Sequence, residues 1–170
     1  MLSESARMSS ASEARYRINA PNSKGRRVKV IALDPPSEAT VKRLAALGWN
    51  NATFLTASAF TGEPPRSGAF SMQGWLSDLA GRAKNLIDEV AEADLVVMVA
   101  TAGESTQAAT LVGEACSAKR INTTGLILGG PAVSDAMLSK TLARLRPWSL
   151  MLVIASGEDY VADMLIALRA

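Results

Sequence analysis

Ala93–Thr106 reads A-D-L-V-V-M-V-A-T-A-G-E-S-T, and this stretch decides the fold. Leu95–Ala100 is apolar at every position, as a parallel strand buried on both faces requires. The small residues T-A-G-E-S-T follow at once, and after them Leu111, Val112, Ala115 and Cys116 recur at helical spacing to about Arg120. A strand, a small-residue loop and a helix in that order place backbone N–H groups and hydroxyls at the mouth of an α/β sheet, where ligands bind.

Working outward, the same alternation recurs along the chain. Val28–Leu33 is a β-branched strand stopped by Asp34-Pro35-Pro36, with Ser37 the expected cap of a helix carrying Val41, Leu44 and Leu47 and ending near Gly48. Ala52–Ala57 is a second strand. Residues 58–73, broken by Gly62, Pro64-Pro65 and Gly68, read either as a functional loop or as an edge strand. Leu76, Leu79, Ala83, Leu86, Ile87 and Val90 then predict one helix over Gly74–Glu92. Downstream come a strand at Thr123–Leu128, a helix capped by Ser134 or Asp135 and halted by Pro147, a strand at Leu150–Ala155 and a final helix through Leu168. The expected architecture is a three-layer α/β/α sandwich: a Rossmann-like parallel sheet of about five strands in the order 2-1-3-4-5, with the crevice between the first and third strands.

Composition bounds the function. The 170 residues suit a flexible leader over 1–25 and one α/β domain over 26–170. The net charge of +2, with basic residues scattered, argues against nucleic acid, and no apolar run reaches the roughly 18 residues of a membrane span. The opening residues lack a secretory or organelle signal, so the expected location is cytoplasmic. The chain has no histidine, which removes Ser-His-Asp and Cys-His catalysis and every histidine metal site; no metal site is expected. The lone Cys116 sits on the apolar side of its helix and reads as core.

The order of segments resembles the nucleotide-binding domain of the tubulin and FtsZ family across roughly residues 27–160. That family opens on a strand of the form I-K-V-I-G-V, here Val28-Lys29-Val30-Ile31-Ala32-Leu33. Its helix ending in glycine and its next strand are similar to Leu47-Gly48-Trp49 and Ala52–Ala57, and its A-D-M-V-F-x-T-A-G to Ala93–Gly103. Its T-L-I-V-I-P-N-D strand resembles Leu150–Asp159. The resemblance implies a GTP-binding fold, but the family's glycine-rich first loop is Asp34-Pro35-Pro36-Ser37 here. Its phosphate-gripping glycine loop is the shorter Gly103-Glu104-Ser105-Thr106. Prolines delete N–H donors, and carboxylates repel phosphate. No match exists for the family's catalytic acidic loop. The expectation is therefore a non-catalytic or regulatory binding protein without ordinary GTP binding and with no certain cofactor.

Two further readings stand beside it. A-T-A-G-E-S-T is similar to the S-x-S-G-x-T loop of sugar-isomerase (SIS) phosphosugar-binding domains, so Thr101, Gly103, Ser105 and Thr106 would hold a sugar phosphate or nucleotide, with or without catalysis; alternatively those hydroxyls cap the helix. The third reading is self-assembly into a homo-oligomer or binding of a partner protein, for which Trp49, Trp75 and Trp148 are anchors unless they pack at the rim of the core. The crevice residues expected are Asp34, Ser37, Thr101, Gly103, Glu104, Ser105, Thr106, Gly129 and Gly130. Asp34 and Glu104 read either as an acid/base or metal-binding pair or as solvated loop residues.

Overall fold

The computed structural model describes residues 25–58, 76–129 and 133–170. The expected leader, the irregular segment after Ser58, Trp75 and Gly130 lie outside them, apart from Gly25 and Ser58 themselves. The described chain is an α/β fold: an open, mostly parallel sheet of seven strands with five helices.

In chain order these are β1 (Val28–Ala32), α1 (Pro35–Ala45), β2 (Ala52–Thr56), β3 (Leu76–Asp78), β4 (Ala83–Lys84), α2 (Leu86–Ala91), β5 (Leu95–Thr101) and α3 (Ala108–Lys119). There follow β6 (Asn122–Leu128), α4 (Asp135–Leu145), a 3-10 turn at Arg146–Trp148, β7 (Met151–Ala155) and α5 (Glu158–Ala167).

The sheet order is β4-β3-β2-β1-β5-β6-β7. Strands β2, β1, β5, β6 and β7 run parallel, and β3 and β4 add an antiparallel pair beyond β2. Both the strand number and the full order thus depart from the expected 2-1-3-4-5. The cause lies in the stretch predicted as one helix. Asp78 accepts backbone N–H bonds from Ala80 and Arg82 through Oδ1, at 3.0 and 2.9 Å, and Gly81 takes φ 81°, so the chain reverses there. Helix α2 starts only after Asn85, whose side chain accepts from the Ile87 N–H at 3.0 Å.

Period-two alternation sends each strand's side chains to opposite helical layers. Val28, Val30, Ala32, Leu95, Val97 and Val99 pack with α1 and α5 through Val41, Leu44, Val161 and Leu165. Ile31, Val96, Met98, Ala100 and Ile127 face α2, α3 and α4 through Val90, Leu111, Val112 and Leu145. The split follows from topology. The path from β1 to β2 steps one way along the sheet and the path from β5 through β7 steps the other, so right-handed crossovers put α1 and α3–α4 on opposite faces. Cys116 is buried in the second layer, and burial pushes its thiol up to about 12.

Trp49 donates its indole N–H to the Leu44 carbonyl at 2.7 Å, and the Trp148 ring lies against Gly113 of α3. Both therefore pack at the rim of the core. Lys29, nearly buried in β1, pairs with Glu89 of α2 at 2.6 Å. Asp94 accepts from the Arg27 backbone and guanidinium, which holds its carboxyl below the usual range. No helix among the described residues is long and apolar enough to cross a membrane.

Candidate functional site

The strand direction reverses its progress between β1 and β5, so the carboxyl ends of β1, β5, β6 and β7 open the crevice that such sheets use for ligands. Among the described residues, α1, α3, α4 and α5 follow directly on these four strands. Each brings N–H groups without intrahelical acceptors, and how those groups are satisfied differs among the four.

At α1 they are satisfied internally. Asp34, not Ser37, is the N-cap: its Oδ1 accepts from the Ser37 N–H at 2.8 Å, and Ser37 Oγ in turn accepts from the Asp34 backbone N–H at 3.2 Å. Pro35 and Pro36 occupy the first two helical positions, where an N–H would go unused and a φ fixed by the ring already suits the helix. The prolines therefore build the helix start as well as stiffening the loop. Asp34 Oδ2 accepts from the Thr101 N–H at 2.8 Å, clipping α1 to the end of β5. Asp34 is 1% exposed, and both carboxylate oxygens are held by main-chain donors. It is a structural acceptor.

At α3 the arrangement is the reverse. The residue preceding it, Gln107, makes no side-chain cap bond, so the expectation that Ser105 or Thr106 caps this helix is not met. The loop is instead held from elsewhere: the Glu104 N–H bonds the Thr101 carbonyl at 3.1 Å, and the Gly103 N–H donates to Thr141 Oγ1 of α4 at 3.0 Å. Gly103 has φ 90°, a backbone conformation that a Cβ would strain. Among the described residues, the buried hydroxyls Thr101 Oγ1 and Thr106 Oγ1 have no hydrogen-bond partner, although Thr106 is 1% exposed. Buried hydroxyls are ordinarily satisfied. Helix α4 is capped by Ser134, which accepts from the Met137 N–H, whereas α5 starts at Gly157 with no side-chain cap.

Among the described residues, two cavities of about 290 Å³ each open at this mouth, one lined by Asp34 and the other by Thr101, the two residues that the clip joins. Asp34, Glu104 and Ser105 line the first with Ser58, Gln107 and Ala108. Thr101 and Gly129 line the second with Thr40, Ser156, Gly157 and Glu158. Ser37 is wholly buried in its capping box, Gly103 is exposed, and Thr106 lies beneath the loop. Asp34 and Glu104 share a cavity wall in unlike surroundings: one is buried and bonded, the other is exposed on the rim.

Three contributions went unread in the sequence. Thr141 anchors the β5–α3 loop from another helix. Glu38 joins α1 to the end of β2, pairing with Lys42 at 2.6 Å and accepting from Thr56 Oγ1 and Ser58 Oγ; these bonds, Lys42 foremost, hold its carboxyl below the usual range. Glu158 accepts from Arg43 and Thr40, which places a neutralised carboxylate on the second cavity. Gly157 before Glu158-Asp159 was the available signal, because a glycine at a strand exit is a ready helix start.

A larger cavity of about 560 Å³, lined by Leu47, Trp49, Asn51, Ile166 and Arg169 among others, lies at the opposite end of the sheet. No described helix begins there, so the carboxyl-end crevice remains the candidate. Compared with known proteins, the chain matches no family model and no curated protein.

Proposed function

We propose that the chain is a non-catalytic or regulatory binding protein on a Rossmann-like fold, akin to a tubulin/FtsZ GTPase domain from which ordinary GTP binding has been lost. The observation that carries this reading is the engagement of Asp34. A phosphate at the first loop needs free N–H donors. Here the prolines remove two, the Ser37 N–H is taken by Asp34 Oδ1, and the Thr101 N–H is taken by Asp34 Oδ2. A buried carboxylate stands where the nucleotide's negative charge would approach. Calorimetric titration of the full chain with GTP and GDP in the presence of magnesium tests it: no saturable heat is expected, and micromolar binding overturns the reading. A cytoplasmic location belongs to the same proposal.

The uncapped α3 start and the unpartnered hydroxyls of Thr101 and Thr106 favour a second reading, a small phosphorylated molecule held by the Thr101–Thr106 loop. Backbone N–H groups and hydroxyls would be its donors. Thermal shifts of the native chain and a Ser105→Ala plus Thr106→Ala variant across sugar phosphates and nucleotides decide it. A ligand whose shift disappears in the variant is expected; no hydroxyl-dependent shift across the panel removes this reading.

A further inference from the structure

Among the described residues, the sheet's two edges are unlike. At one, β4 contributes two residues, beside the charges of Arg82, Asp78 and Lys84. Short, charged edges resist pairing with another sheet. At the other, β7 is five residues long in the context S-L-M-L-V-I-A-S, Ser149–Ser156, without a charge or a proline. Leu150, Met151 and Ile154 are 79%, 41% and 50% exposed. No described strand pairs with the outer side of β7. Among the described residues, none of the usual devices that protect an edge is present there.

The direction of the main-chain groups follows from one bond. The Gly129 N–H donates to the Ala155 carbonyl at 3.0 Å, so Ala155 turns toward β6. By the two-residue period Val153 and Met151 do the same, leaving Leu152 and Ile154 to direct N–H and C=O outward. We infer that β7 is an interface through which two copies of this chain pair, antiparallel about a two-fold axis at Val153. Leu152 of one copy then lies opposite Ile154 of the other, and each pair exchanges both main-chain bonds.

A second copy is the occupant because the edge is self-complementary: it carries no charge to repel its own image, and its two outward residues interchange under the two-fold. The β4 edge is too short and too charged to receive β7, so head-to-tail growth is closed off and the isologous pair terminates the assembly. This inference is independent of the crevice.

Sedimentation velocity on the full chain, between about 1 and 100 µM, tests it alongside two variants. Ile154→Pro deletes an outward N–H without costing a bond to β6, which an edge strand tolerates. Ile154→Lys sets a charge opposite the other copy's Leu152 and brings the two like charges diagonally across the axis, within reach of long side chains. The expected result is a monomer–dimer equilibrium for the native chain and at least tenfold weaker association for both variants, with native circular dichroism. Should the proline variant fail to fold, the lysine variant carries the test. A native chain that stays monomeric, a series of larger oligomers, or a dimer weakened less than tenfold by Ile154→Lys overturns the proposal.

Discussion

Replacing Asp34 by alanine removes two bonds at once, and their sizes can be worked separately. Loss of the cap on α1 costs about 1 kcal/mol. The Thr101 N–H, part of a half-buried strand end, is left without its acceptor, at about 1–3 kcal/mol. The expected destabilisation is therefore about 3 kcal/mol, which for a chain of this size lowers Tm by about 6–12 °C. Asp34→Asn keeps one acceptor oxygen but turns an amide donor toward either Ser37 or Thr101, so its loss falls between native and alanine. Urea unfolding followed by far-ultraviolet circular dichroism measures both. An alanine variant within about 0.5 kcal/mol of the native chain, the range of an ordinary surface change, refutes the assignment of Asp34 as a structural clip.

Three further outcomes follow from particular contacts. Cys116, buried and with its thiol pushed up to about 12, stays unreactive toward Ellman's reagent in the native state and reacts fully on unfolding; rapid native labelling contradicts its place in the core. The Glu38 carboxyl is held low by Lys42, with Ser58 and Thr56 assisting, so its contribution to stability is present above its unfolded value of about 4.3 and lost as pH falls from there through the folded value. The urea midpoint should fall less steeply below that pH in Glu38→Gln, and identical acid limbs would count against the link between α1 and β2. Gly113→Ala sets a Cβ 2.5 Å from the Trp148 ring, an overpacking cost of about 1–3 kcal/mol that outweighs the helical gain of about 1 kcal/mol, so Tm should drop rather than rise.

The parallel strands were legible because burial on both faces leaves an unbroken apolar run, clearest in β5, and because each is followed by a helical pattern. The antiparallel pair was hidden for a specific reason. Leu76, Leu79 and Ala83 satisfy helical spacing, while what reverses the chain is one Asp78 side chain bonding two N–H groups ahead of Gly81. A local side-chain bond of that kind leaves no trace in hydrophobic periodicity. At the crevice, D-P-P-S read as a carboxylate and two stiffening prolines beside a capping serine; the roles are a capping aspartate, two prolines suited to a helix start and a reciprocating serine. The second bond from Asp34, to Thr101, spans 67 residues and depends on tertiary structure alone. The same holds for Thr141 beneath Gly103, and for the missing cap of α3, where three hydroxyl or acidic residues precede a helix and none caps it.

The central claim is that Asp34 has closed the first loop to nucleotide phosphate, and amide-resolved NMR of the full chain during titration with GTP and magnesium tests it most directly. The account predicts that the Ser37 and Thr101 amide signals stay unmoved up to about 1 mM nucleotide, a concentration that would reveal even weak binding. Saturable shifts of both signals at micromolar GTP would show the Asp34 bonds exchanged for phosphate and contradict the account.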